Sequence, residues 1–227
     1  MGELGSAARP LRLLLLGGTG GCGSLFLKQA VARGHAVATI VREGSSFEGG
    51  ASVRIFRGDP TDRTLLQQAL KDTDLVVSCM GLRRSAPWNP WSRLVSPPNL
   101  METMARLWSE ELPRAGVSKL LAVSAAGVGD SANTMNPPMQ FLVAKSNVGV
   151  AYRDLGAMEN ILAQSSLDWI AVRPVTLTHR EGSRPVGVVE KFGTFASIAR
   201  GDVAGWLLSL AENWNSEART PMIANRG

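Results

Sequence analysis

The first strong signal along the chain is an unbroken apolar run, Leu13, Leu14, Leu15 and Leu16, which follows Arg12 and stops at glycine. A short run that is apolar on both alternating faces predicts a strand over 12–16 buried between two layers. The spacing then changes. Leu25, Phe26, Ala30 and Val31 recur at helical intervals and Gly34 closes the pattern, which predicts a helix over 24–33. The alternation continues, with strands predicted over 36–41, 52–57, 74–79, 119–123, 168–172 and 221–224. Helices are predicted over 61–70, 99–115, 139–164 (broken near 149–154) and 201–213.

Strands and helices taking turns, with strands apolar on both faces, imply a doubly wound α/β fold of Rossmann type. The sheet is expected to be single and mainly parallel, with helices on both faces. No composition shift or repeat divides residues 1–227, so one domain is expected, with 1–10 as a tail. Residues 43–50 read as a polar Gly/Ser loop. Residues 83–98, with four prolines, Trp88, Trp91 and no periodicity, read as a long excursion. Together with 174–194 they are expected to form loops over one site.

Composition narrows the function classes. Hydrophobic residues make up 44% and charged residues 19%, as in ordinary globular proteins. The apolar run at 11–16 is far too short to span a bilayer and lacks the flanks of a signal peptide. Residues 1–6 match the bare myristoylation pattern, although Glu3 directly after Gly2 counts against it. The net charge of +5 is spread along the chain without a basic run, so neither nucleic acid nor membrane is an expected partner. A small anionic ligand suits that field as well. Two cysteines, Cys22 and Cys79, exclude a disulfide framework and point to a reducing, cytoplasmic setting. With only two histidines, no metal site is expected.

The chemistry starts at Gly17-Gly18-Thr19-Gly20-Gly21-Cys22-Gly23, between the first predicted strand and the first helix. That context is what a dinucleotide loop requires: glycine lets backbone approach a pyrophosphate, and the helix N-terminus supplies N–H groups. The second strand ends at Arg42, with Ser45 and Ser46 close behind. Arginine there accommodates a 2′-phosphate, which favours NADP(H) over NAD(H). The competing reading puts Glu43 on the ribose and Arg42 in solvent. Asp59, after the third strand, is suited to accept from the adenine amino group. Gly81, after the fourth, would let backbone close on the cofactor. Both also fit simple turns.

These pieces, with IVR (40–42), RGDPTD (57–62), CMG (79–81), KLLAVSAAG (119–127), MENILAQSSLDWIAVRPVTL (158–177) and IARGDVAGWLLSL (198–210), resemble the atypical short-chain dehydrogenase/reductase group. The resemblance is to its NAD(P)H-binding, NmrA-like branch, which includes biliverdin IXβ reductase/flavin reductase, and it spans nearly the whole chain. It implies cofactor contacts from Gly17, Thr19, Gly20, Gly21, Cys22, Gly23, Arg42, Asp59, Met80, Gly81, Ser124 and an Arg173-Pro174 turn. For Arg173 the other reading is structural, tying the strand end to neighbouring carbonyls.

The wider superfamily uses a Tyr-x-x-x-Lys pair for proton transfer. Here the only tyrosine, Tyr152, is followed four residues later by Gly156, so the pair is absent. Tyr152 remains a catalytic candidate because it heads a helical stripe through 155, 158 or 159, and 162. Ser124, at a strand end, could hydrogen-bond a substrate carbonyl. His179, in the loop over the site, could donate a proton; Lys145 is a remoter candidate. His35 is expected at the surface. Cys22 and Cys79 follow neighbouring strands and fit buried packing better than a redox pair.

Two functions remain open: an NADPH-dependent reductase acting on a small planar or carbonyl substrate such as a flavin or quinone, and a non-catalytic NADP(H)-binding sensor or assembly factor. A homodimer is compatible with either.

Overall fold

The structure, a computed structural model, describes residues 9–179, 182, 184–193 and 196–226. The myristoylation pattern at 1–6 lies outside the described residues, as do parts of the 174–194 loop.

Ten strands, six α-helices and one 3-10 helix (Gly129–Thr134) are defined among the described residues. The strands β1 (Arg12–Leu16), β2 (Ala36–Val41), β3 (Val53–Arg57), β4 (Leu75–Ser78), β5 (Lys119–Val123), β6 (Asp168–Pro174) and β10 (Met222–Asn225) pair in parallel. β8 (Val186–Val188) closes the edge antiparallel to β10, giving the order β3-β2-β1-β4-β5-β6-β10-β8. β7 (Thr176–Thr178) and β9 (Ser197–Ala199) form a separate parallel pair. The order reverses beside β1, because the chain leaves β3 and re-enters the sheet on β1's other side as β4. A doubly wound sheet opens its ligand crevice there, at the C-terminal strand ends.

The leucine run of β1 is explained by two cores. Leu13 and Leu15 pack on one face with Phe26 of α1 (Gly21–Ala32) and with Leu207 and Leu208 of α6 (Arg200–Glu212). Leu14 and Leu16 pack on the other with Met101, Met104 and Trp108 of α3 (Leu100–Arg114) and Met158 and Leu162 of α5 (Val148–Ala163). Successive side chains of a strand point to opposite faces, so a strand between two layers must be apolar throughout.

Local chemistry sets the helix starts. Asp62 caps α2 (Arg63–Ala69) by accepting from Thr64 N at 2.8 Å and Leu65 N at 3.2 Å. Asn136 caps α4 (Pro137–Lys145) through Met139 N at 2.9 Å. The Asn99 side chain leaves α3 uncapped, and Asp154 of α5 takes the role from a distance, accepting from Met101 N and Glu102 N at 2.9 Å each.

Several expectations change. The break between α4 and α5 falls at Ser146 and Asn147 rather than near 149–154, because Ser146 is extended. Gly149 lies in the first turn of α5 instead, where a Cβ would stand 2.0 Å from the Val143 carbonyl. Arg173 and Pro174 form no turn: pairing with Met222 and Ile223 of β10 extends β6 through both. Pro174 lacks an N–H, but its carbonyl accepts from Ala126 N at 3.0 Å. Residues 174–194 include β7 and β8 rather than a plain loop. The 83–98 excursion is a hairpin carrying an antiparallel Arg84–Leu94 bridge, and Arg83, Ser85, Arg93 and Val95 alternate outward. His35 is not at the surface. It is buried, accepts from Leu11 N at 3.1 Å, and its Nε2 lies 2.9 Å from Glu212.

Candidate dinucleotide site

The glycine loop is shaped by contacts that exclude side chains. Gly17 has φ +79°, and a Cβ there would stand 2.9 Å from the Cys79 carbonyl after β4. A Cβ at Gly23 would lie 2.2 Å from the Gly17 oxygen, so only glycine lets α1 pack so close to β1. Gly20 N donates to the Gly17 carbonyl at 2.9 Å, and Ser24 N to the Gly20 carbonyl at 2.8 Å, which turns the strand directly into the helix. The helix therefore begins at Gly21, inside the loop, three residues earlier than its apolar periodicity predicts.

No side chain caps the α1 N-terminus and no acidic residue stands in its first turn. Thr19 and Gly21 are exposed at its rim. A helix start with free N–H groups and a partial positive charge fits the pyrophosphate of a dinucleotide.

Around this loop stand the other strand ends. Arg42, directly after β2, is exposed, and its guanidinium joins no ion pair among the described residues. Arg57, by contrast, is committed: it donates to the Ser45 carbonyl at 2.9 Å and the Phe47 carbonyl at 3.2 Å, fastening the 43–50 loop. Asp59 accepts from Thr61 N at 2.8 Å and Thr61 Oγ1 at 2.7 Å, all through Oδ1, leaving Oδ2 toward solvent. Met80 is half-buried, and Gly81 is exposed with open space where a Cβ would be. Cys22 and Cys79 are electrostatic neighbours. Burial pushes both thiols up, with Cys22 adding to the rise at Cys79 and Arg200 pulling Cys22 partly back. Neither is a ready thiolate.

Ser124 is buried, and its hydroxyl donates to Glu159 Oε1 at 2.6 Å. Glu159 in turn receives Arg173 Nε at 3.0 Å and Nη2 at 2.6 Å, while Arg173 Nη1 reaches Asp130 at 2.5 Å. The Arg173 N–H donates to the Pro221 carbonyl at 2.9 Å, as the structural reading has it, but its guanidinium pairs with carboxylates, which join the ends of β5 and β6 to α5. The Arg173 cation holds the Asp130 carboxyl below its ordinary value.

Tyr152, on α5, is half-buried, and burial pushes its hydroxyl up. It lines a groove of about 480 Å³ with Gly127, Val128, Met135, Val143 and Gly156. His179, at the end of β7, is exposed. No hydrogen bond joins Ser124, Tyr152 and His179 to one another among the described residues. Lys145 ends α4, where its carbonyl accepts the Trp91 indole at 3.0 Å and pins the hairpin tip.

Sequence reasoning missed Glu159 and Arg200. A carboxylate beside Met158 on the buried face of a helix is a signal for the first. A cation opening a helix is a signal for the second, since that end of the macrodipole disfavours it.

The profile of the NAD(P)H-binding family matches residues 17–213. The chain belongs to that family and takes a nicotinamide dinucleotide. Among solved structures it is similar to ChuY, an anaerobillin reductase from Escherichia coli O157:H7, with TM-score 0.75 and 23% identity over 94% of this chain and 97% of that one. A short-chain dehydrogenase/reductase from Veillonella parvula DSM 2008 in complex with NADP has TM-score 0.76 and 13% identity, covering 96% and 95%. An oxidoreductase from Lactococcus lactis has TM-score 0.75 and 16% identity, covering 95% and 91%. These likenesses establish the fold. Among the described residues no helix is long and apolar enough to cross a membrane.

Proposed function

We propose that this chain is an NADPH-dependent reductase of the NmrA-like branch, working as one domain on a planar, conjugated or carbonyl acceptor. The observation that carries the cofactor choice is Arg42: an exposed guanidinium directly after β2 that joins no ion pair among the described residues. Arginine can fork onto a 2′-phosphate with two parallel hydrogen bonds.

A bound NADPH supplies hydride. The chain's own residues orient the ligand and exclude water rather than deliver a strong acid. Tyr152 has no lysine partner at 156, and its raised hydroxyl keeps its proton without being activated to give it up. The Ser124 proton is engaged by Glu159. Such a site suits acceptors that need hydride more than acid catalysis, such as flavins, quinones and tetrapyrroles, the last in keeping with the reductase named among the similar structures.

A second reading, a non-catalytic NADP(H) sensor, is favoured by the same engagement of Ser124 in a buried network. Steady-state NADPH oxidation against FMN, quinones, aldehydes and a tetrapyrrole separates the two. Turnover with a planar acceptor supports the reductase. Tight NADPH binding with no turnover across the panel favours the sensor.

A further inference from the structure

The start of α6 lies against the start of α1. The two helices run parallel: Arg200 meets Gly21 at one end, Arg33 and His35 meet Glu212 at the other at 2.7 and 2.9 Å, and Gln29 reaches across to the Gly201 carbonyl at 3.1 Å. Arg200, the first residue of α6, lays its side chain over Gly21, the first residue of α1. A Cβ on Gly21 would stand 2.8 Å from Arg200 Cδ and 2.9 Å from Nε. Gly21 has no positive φ, and what a Cβ there would meet is this side chain rather than backbone.

Arg200 is held there against local electrostatics. A cation at a helix N-terminus faces the positive end of the macrodipole, and here a second positive end, that of α1, lies beside it. Its one hydrogen bond among the described residues is Nη1 to the Thr178 carbonyl at 3.2 Å. The nearby acid, Asp202, is turned away, its Oδ2 accepting from Asn225 Nδ2 at 2.7 Å. The charge of Arg200 is felt at Cys22, where it opposes the effect of burial. The α1 start, with no capping side chain and no acid in its first turn, and the Arg200 guanidinium therefore meet at the exposed rim at Gly21, while Asp202, the carboxylate in the first turn of α6, is engaged by Asn225.

We propose that Arg200 is the side-chain cation for the cofactor's pyrophosphate, closing over the phosphate at the Gly21 and Cys22 amides. This rests on the reading of residues 17–23 as the phosphate loop. Arg42 and Arg200 then divide the work: Arg42 selects the 2′-phosphate, and Arg200 neutralises the diphosphate common to both nicotinamide dinucleotides.

Calorimetry with two fragments tests the division. ADP-ribose carries the pyrophosphate without a 2′-phosphate, and adenosine 2′-phosphate the reverse. Arg200→Gln is expected to weaken ADP-ribose about tenfold or more, the scale of a charge-assisted hydrogen bond. It should change adenosine 2′-phosphate binding less than about twofold, while Arg42→Ala shows the opposite pattern. If Arg200→Gln does not fold, Arg200→Lys decides. It keeps the charge and loses the fork, so ADP-ribose should weaken about threefold with the same selectivity. A folded variant that binds ADP-ribose like the wild type overturns the inference alone, as does equal loss of both fragments. A wild type that binds neither fragment overturns the phosphate-loop reading and the inference with it.

Discussion

The Ser124 hydroxyl donates to the Glu159 carboxylate at 2.6 Å, with both residues buried and Glu159 also paired with Arg173. A serine at the end of β5 is where a substrate-facing hydroxyl would be sought. Here its proton points into the protein and helps hold β5, β6 and α5 together.

Ser124→Ala should therefore lower turnover less than about tenfold, well below the roughly 10²–10⁴-fold of a general acid. Glu159→Gln should instead unfold early. It leaves the Arg173 guanidinium buried with one anionic partner fewer, a change of about 3–5 kcal/mol, or roughly 2–4 °C of melting temperature for each kcal/mol. Thermal denaturation beside steady-state rates checks both. A hundredfold loss of rate in folded Ser124→Ala would make it a proton donor after all.

Tyr152→Phe should likewise cost less than about tenfold in kcat. Burial raises its hydroxyl, and no lysine stands at 156 to lower it. A loss of a hundredfold or more with NADPH binding intact would show that a cation from elsewhere activates the phenol.

The two cysteines should be inert. Both thiols are raised by burial, so they stay protonated at neutral and mildly alkaline pH, and the thiolate needed for attack is scarce. Iodoacetamide at pH 8 should label the folded protein at least about tenfold more slowly than free cysteine. Rapid labelling, or a disulfide under mild oxidant, would revive a redox role.

Gly20→Val should fold and lose dinucleotide binding. A Cβ at 20 meets the Gly17 oxygen at 3.2 Å, tight but tolerable, and a branched side chain would stand where the pyrophosphate approaches. Gly23→Val, at 2.2 Å from the same atom, should fail to fold. Circular dichroism with calorimetry distinguishes them, and native NADPH affinity in folded Gly20→Val would remove the loop from the site.

What was legible in the sequence was whatever depended on neighbours a few residues away. The leucine run of β1, the glycine loop and the Asp62 cap each carry their reason locally. Long-range pairing was not legible. β6 runs through Pro174 only because β10 lies alongside, and His35 is buried only because α6 ends with Glu212 next to it. The 83–98 hairpin hid its two-residue alternation behind prolines, as Arg84 and Leu94 are ten residues apart when they pair. Arg200 lies within a family-like stretch of the sequence, yet its place over Gly21 follows from the parallel packing of helices at opposite ends of the chain.

Whether residues 17–23 and Arg42 form an NADP(H) site is decided by titration calorimetry of the wild type and Arg42→Ala with NADPH and NADH. The wild type should bind NADPH more tightly than NADH, and Arg42→Ala should lose about tenfold or more on NADPH while sparing NADH. A native preference for NADH, or equal losses for both cofactors, would contradict it.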